Sequence, residues 1–275
     1  VEVEADVYVW QNSNHPTMKR VCTGLLLGSA LLFANTLTAQ VKFGIKVGGN
    51  YLIASQKIQP EPKNPPTSPK GLGLMFGVYG EIPFSDLVGL RPELGFSFRR
   101  GKSETTDNQT LTNNTEVTNN QGAYTGSRDY KLEDDQRLSY FQITTPLTIK
   151  ATEEFRVMLG PSFNFLMGGK DNTDETTDWK GSVTGQNAQG QTVTQAIDQQ
   201  DFLTTKKKGS AAIKDFKKFD IAVMAGIGYT LPVGFDLDLR YYRSLTPTYD
   251  RTESNTRARF WTNLVEFSIG WTFGK

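Results

Sequence analysis

The chain has one cysteine, Cys22, and one histidine, His15, among 275 residues. One cysteine cannot close an internal disulfide, and one histidine cannot build a cluster. The charges nearly cancel, 30 Lys and Arg against 29 Asp and Glu, so no surplus of basic residues points to nucleic acid. In the body of the chain no apolar run approaches the length of about 18 residues needed for a spanning helix. The mean hydropathy of −0.43 agrees. Neither fact excludes a barrel, whose strands leave a weak hydropathy signal because half of each strand faces inward.

Near the start, Met18-Lys19-Arg20 precedes the apolar and small stretch Val21 to Leu37, which is followed by Thr38-Ala39-Gln40. A basic region, a short apolar region and a small-residue exit predict a secretory signal peptide over residues 18-40, cleaved after Ala39 or Gln40. Because a signal should open its chain, residues 1-17 are expected to be a non-native or upstream-translated extension. Cys22 lies too early in the apolar region to be a lipoprotein's acylated cysteine, and His15 precedes Met18. The mature chain, expected to be a single domain over 41-275, then has neither residue. That excludes a histidine base, a cysteine nucleophile and an imidazole or thiolate metal site.

From residue 41 the pattern has period two and predicts eight membrane-crossing strands: residues 42-54, 71-82, 89-99, 138-150, 155-167, 219-231, 234-244 and 259-273. The fold expected is all-β, an eight-stranded antiparallel up-and-down transmembrane barrel of outer-membrane type, since an even count can close without an exposed edge. The connections alternate. Those at 83-88, 151-154 and 232-233 are short, while those near 55-70, 100-137, 168-218 and 245-258 are long. Short turns on one side and long loops on the other match the periplasmic and extracellular ends of such a barrel. The polar stretches 102-122 and 171-200 read as solvent-exposed loops with local disorder. Lys206, Lys207, Lys208, Lys214, Lys217 and Lys218 form a basic run suited to an anionic lipopolysaccharide surface or to plain solvation, on a short helix or a strand extension.

The alternation also sorts faces. Phe235, Leu237, Leu239 and Tyr241 point one way, towards lipid, and Asp236, Asp238 and Arg240 the other. Tyr51, Tyr229, Tyr241 and Trp271 could form interfacial girdles. Ten charges fall on the inward phase towards the short-turn ends: Lys46, Glu81, Arg91, Glu93, Lys150, Arg156, Asp236, Asp238, Arg240 and Glu266. Equal numbers of cations and carboxylates are expected to pair into a structural network filling the interior, because an unpaired charge in a dry interior is costly. A proton path or small polar conduit is the functional alternative. Inward glycines, among them Gly44, Gly48, Gly77, Gly95, Gly226 and Gly228, leave room for these long side chains.

Motifs for chemistry are missing. No phosphate-cradling loop precedes a helix, Gly-x-Ser-x-Gly is absent, and Asp236 with Asp238 has arginine partners at hand. No catalytic residue, metal site or cofactor is expected.

The signal end TAQ followed by VKFGIKVGGNYL resembles the opening of the PorT-like outer-membrane β-barrel proteins of Bacteroidetes. GLGLMFGVYGEIPF, LRPELGFSF, YFQITTPLTIK, VMLGPSFNFLMGG, KKFDIAVMAGIGYTL and LRYYRSLT are similar to that family's later strands, in order. The departures lie in the long loops and at Thr144-Thr145. The resemblance implies a barrel in the outer membrane and supplies no catalytic residue. The function expected is a non-enzymatic, monomeric outer-membrane protein of Gram-negative bacteria with a structural or surface-interaction role. Its expected partners are outer-membrane lipid, lipopolysaccharide and a protein met through the long loops, not nucleic acid. The alternatives are a small pore or an accessory of a secretion or uptake complex, a barrel lipid hydrolase, and a soluble ligand-binding barrel.

Overall fold

The computed structural model describes residues 41-118, 122-186, 188-197, 205-213 and 215-273. The expected extension at 1-17 and signal at 18-40 lie outside the described residues. Among the described residues thirteen strands form one sheet: β1 Lys42–Gln59, β2 Lys70–Pro83, β3 Val88–Leu90, β4 Glu93–Asn114, β5 Ala123–Thr144, β6 Leu147–Lys150, β7 Phe155–Gln186, β8 Thr192–Ile197, β9 Thr205–Ala212, β10 Phe219–Thr230, β11 Phe235–Ser244, β12 Tyr249–Glu253 and β13 Thr256–Thr272. All pairings are antiparallel. The hydrogen-bonded order is β1-β13-β11-β10-β7-β5-β4-β2-β3-β6; β1 also pairs with β2 and β7 with β6, while β8 and β9 join β7 and β12 joins β13. The expected eight-stranded up-and-down transmembrane barrel is therefore corrected. The sheet has thirteen strands in a branched order, not a plain succession of eight.

Two physical causes account for the difference. Proline, lacking an N–H, interrupts a ladder. The expected strand 89-99 is cut at Arg91-Pro92 into β3 and β4, and the expected strand 138-150 at Thr145-Pro146 into β5 and β6. The two breaks meet, because the Arg91 N–H donates to the Pro146 carbonyl at 2.9 Å and β3 pairs with β6.

The second cause is that polar segments continue as strands. β4 and β5 stay paired from Glu93↔Thr144 out to Leu111↔Gly126, and β5 and β7 from Thr144↔Ser162 out to Ala123↔Thr184. Within the expected loops, residues 102-114, 171-186 and 192-197 are thus paired strand. Cross-strand ion pairs support the ladder: Arg100–Asp135 at 2.6 Å, Arg128–Asp107 at 2.8 Å, Lys131–Glu104 at 3.1 Å and Lys208–Asp174 at 3.3 Å. At the tip the Tyr124 and Trp179 rings meet edge-on at 5.3 Å, with Leu111 and Val183 packed on them. Lys206, Lys207 and Lys208 lie in β9, the strand form of the basic run.

The strands in the other half present apolar residues outward. Ile45, Val47, Leu72, Leu74, Phe76, Val78, Leu239, Phe267 and Ile269 are all exposed, alternating with buried polar neighbours such as Lys46, Asp238, Glu266 and Ser268. So large a contiguous apolar surface is incompatible with water and calls for a hydrocarbon environment.

Candidate functional site

The buried faces of the strands stack in three layers, each one or a few inward residues further from the short-turn end than the last. The first is ionic. Arg240 grips Glu93 with both nitrogens, Nη1 to Oε2 at 2.5 Å and Nη2 to Oε1 at 2.7 Å, and donates from Nη2 to Asp238 at 2.7 Å. Lys46 donates to Glu93 at 2.6 Å and to Glu266 at 3.3 Å. Arg156 reaches Asp238 at 2.5 Å and Asp236 at 3.2 Å. Arg91 lies 3.3 Å from Glu93 and 3.4 Å from Asp238, with its guanidinium 3.7 Å over the Tyr79 ring. The Tyr79 hydroxyl donates to Asp236 at 2.8 Å, where Thr230 also donates at 2.6 Å and Thr272 at 2.8 Å.

Four cations, Lys46, Arg91, Arg156 and Arg240, therefore face four carboxylates, Glu93, Asp236, Asp238 and Glu266, all buried. Neutrality matters here. A buried charge left without a partner costs several kcal/mol, and this cluster leaves none over. Of the ten residues expected from the sequence, these eight come together. Glu81 is part-exposed and stands at the edge of the cluster, 3.9 Å from Arg91. Lys150 does not join: it ends β6 beside Arg156 in register but is exposed at the rim, outside the ion-pair cluster.

The second layer is mixed: Asn50 donates to Ser97 Oγ at 3.4 Å, which also accepts from Arg99 at 3.3 Å, and Gln142 donates to Ser162 Oγ at 3.0 Å, while the rest is apolar. Tyr242 follows Arg240 on the inward face of β11, Leu264 precedes Glu266 on β13, and Met158 follows Arg156 on β7. Together with Leu52 and Met224 they form one buried cluster.

The third layer is polar again. Arg99 stacks 4.3 Å from the Tyr140 ring and donates to Asn164 Oδ1 at 2.8 Å. The Asn164 amide in turn donates to Asp220 at 3.0 Å, which also accepts from Ser244 at 2.9 Å and Thr246 at 3.1 Å. Arg99, Asn164, Asp220, Tyr79 and Tyr242 were not among the expected residues. Arg99 and Asp220 share the inward phase but lie towards the long-connection ends of their strands, away from the charges expected to pair, and Asn164 and the tyrosines carry no charge to single them out.

Beyond the apolar band, the extension of β4, β5 and β7 carries carboxylates of its own. Hydrogen bonding from Arg100 holds the Asp135 carboxyl below the usual range. Burial, then the charge of Asp171, pushes Asp134 up, and burial chiefly pushes Asp171 up. Among the described residues no three of His, Cys, Asp and Glu are placed to hold a metal ion.

An antiparallel sheet with an apolar outer face and a packed ionic interior defines an outer-membrane β-protein. Residues 33-250 match the family described as "Outer membrane protein beta-barrel domain", and the chain belongs to that family. It is a protein of the Gram-negative outer membrane. No curated protein matches it. Similar solved structures include Ail, the attachment invasion locus protein of Yersinia pestis, at 12% identity, covering 82% of this chain and 97% of that one, TM-score 0.29. Neisserial surface protein A is similar at 10% identity, 84% and 97% coverage, TM-score 0.32. The translocator domain of autotransporter NalP from Neisseria meningitidis is similar at 10% identity, 92% and 97% coverage, TM-score 0.24. At these identities and scores the solved structures carry no functional argument.

Proposed function

We propose that the chain is a non-enzymatic outer-membrane protein with a structural or surface-interaction role, its interior filled by its own side chains. The observation that carries this reading is the filling of the interior by buried side chains that pair with one another. Beyond the neutral ionic floor the interior is packed by the apolar cluster of Leu52, Met158, Met224, Tyr242 and Leu264 and by buried, hydrogen-bonded polar side chains, Asn50 donating to Ser97 at 3.4 Å and Gln142 to Ser162 at 3.0 Å. A pore or transport accessory needs a continuous water path, and an interior filled by paired and packed side chains opposes one.

The surface role falls to the extension. β4, β5 and β7 run far past the last outward apolar residues as a polar, ion-paired sheet, a surface suited to a protein partner or to lipopolysaccharide headgroups. The monomeric state and the PorT-like kinship in Bacteroidetes belong to the same proposal, supported by the strand phrases of the sequence. Single-channel recording in planar bilayers tests it. The expected result is no conductance from the wild-type chain. A steady conductance that changes in Asp236→Asn would replace this reading with the pore.

A further inference from the structure

The extension carries a free sheet edge. β4 parts from β2 at Lys70↔Lys102 and runs on in regular register with β5 as far as Leu111. On its other side it makes one further rung: the Thr67 N–H donates to the Glu104 carbonyl at 2.8 Å, and the Glu104 N–H to Thr67 Oγ1 at 2.8 Å. The segment that supplies this rung cannot supply the next, because the residue due there is Pro65, which has no N–H. Backbone groups alternate sides along a strand, so Thr106, Asn108 and Thr110 aim their N–H and C=O groups the same way as Glu104. Among the described residues no backbone partner meets them, and all three are exposed.

Natural sheets guard such edges with proline, lysine or a bulge. From Thr105 to Leu111 this one has no proline and no basic residue. Its single charge, Asp107, is already held by Arg128 at 2.8 Å and by the Gln109 amide at 2.8 Å. Donors and acceptors repeating at two-residue spacing select an extended strand as occupant.

We infer that the occupant is the same edge of a second copy of this chain, held in a facing membrane. The inference rests on the surface-interaction reading proposed above. The edge is self-complementary about Asn108. An antiparallel pairing centred there sets Asn108 against Asn108, Thr106 against Thr110, Thr105 against Leu111 and Asp107 against Gln109. No like charges are opposed, and the Gln109 amide, which bonds Asp107 within its own strand, also faces that carboxylate of the other copy. A centre one residue earlier would set Asp107 against Asp107. The exposed rungs then exchange about six backbone hydrogen bonds. Antiparallel pairing also fixes how the copies face. β4 runs from the outward apolar residues Leu94, Phe96 and Phe98 towards the tip, so the second copy's apolar surface lies at the opposite end, in another membrane. The extension is a device for holding two membranes together through copies of one protein.

The test mixes two populations of phospholipid vesicles carrying the full chain, one with a fluorescence donor and one with an acceptor, and reads clustering as energy transfer. Wild-type vesicles should cluster. Asn108→Pro removes an N–H aimed at the free edge and none aimed at β5, and should lower clustering about tenfold, whereas Asn108→Ala, which keeps the N–H, should not. Gln109→Glu sets carboxylates against Asp107 and should also weaken clustering. Mixing Gln109→Glu vesicles with Asp107→Lys vesicles should restore it, because the register opposes residue 109 of one copy to residue 107 of the other. With Cys22→Ser, Asn108→Cys should form disulfide-linked dimers when the populations meet, and not within one population kept dispersed. Wild-type clustering with vesicles that carry no protein would assign the tip to a lipid surface and overturn the pairing. Full clustering by Asn108→Pro, or crosslinks formed within one membrane, would overturn it too. Flotation and boiling-sensitive gel mobility report membrane folding separately. A wild-type chain that floats yet leaves its vesicles dispersed would overturn the pairing alone, and one that fails to float would overturn the membrane reading beneath it.

Discussion

Arg240 and Glu93 stand 147 residues apart in sequence and meet as a two-pronged pair, Nη1 to Oε2 at 2.5 Å and Nη2 to Oε1 at 2.7 Å, both side chains buried. Removing one partner leaves an uncompensated charge among neighbours that were balanced. Arg240→Met should cost about 3–5 kcal/mol, and the double variant Arg240→Met with Glu93→Met, which restores neutrality, should recover a good part of that. Urea unfolding of the vesicle-bound chain measures both. Simple addition of the two single losses would contradict the pairing.

Asn164 links Arg99 to Asp220, accepting from the first at 2.8 Å and donating to the second at 3.0 Å. Asn164→Leu keeps the volume and removes both bonds. A loss of about 1–3 kcal/mol is expected, the cost of leaving buried polar groups unpaired. Asn164→Asp, which can still accept from Arg99 but sets a second carboxylate beside Asp220, should also be less stable. The same unfolding measurement separates these from a neutral change.

The tip of the extension depends on Trp179 against Tyr124. In Trp179→Ala the outer ends of β5 and β7 should open locally while the membrane-facing strands stay folded. Amide hydrogen exchange should show protection lost around residues 122-130 and 176-186 and kept in β1, β10 and β13. Loss of protection throughout would mean that the extension and the rest fold as one unit.

The buried carboxylates of the extension predict a pH dependence. Burial raises the Asp134 carboxyl above its ordinary value, so the folded extension holds that proton more tightly than the unfolded chain does. Stability is then fully present below the unfolded carboxylate range and is lost as the pH rises through the raised folded value. Asp135, held low by Arg100, runs the other way: its contribution is present above the unfolded value and is lost as the pH falls through the depressed one. Asp134→Asn should increase exchange protection of the extension at neutral pH, and Asp135→Asn should reduce it.

Much of this was legible from the alternation alone. A period of two put Asp236, Asp238 and Arg240 on one face of β11 and Phe235, Leu239 and Tyr241 on the other, and the structure keeps that division. What was not legible came from pairing between distant segments. The stretch around Thr105 to Asn114 has the composition of a disordered loop, yet Thr105↔Leu132 and Asp107↔Tyr130 give it a ladder that composition cannot reveal. Two of the five strands beyond the expected eight, β3 and β6, have a local cause, since Pro92 and Pro146 end ladders whose hydrophobic alternation continues across them, and the other three, β8, β9 and β12, lie in polar segments expected to be loops. Lys150 kept the inward phase of Arg156 but sits at the rim, and phase alone does not report depth.

The filled interior is tested most directly by whether aqueous reagents reach it. In a chain carrying Cys22→Ser, single cysteines are placed at Ser97 and Ser268, both buried, and at Ser85, exposed in the turn after β2. A small water-soluble maleimide should modify Ser85→Cys quickly in vesicles. Ser97→Cys and Ser268→Cys should react about a hundredfold more slowly or less, because labelling would require openings that cost several kcal/mol. Comparable rates at all three positions would show water passing through the interior and contradict the sealed structure.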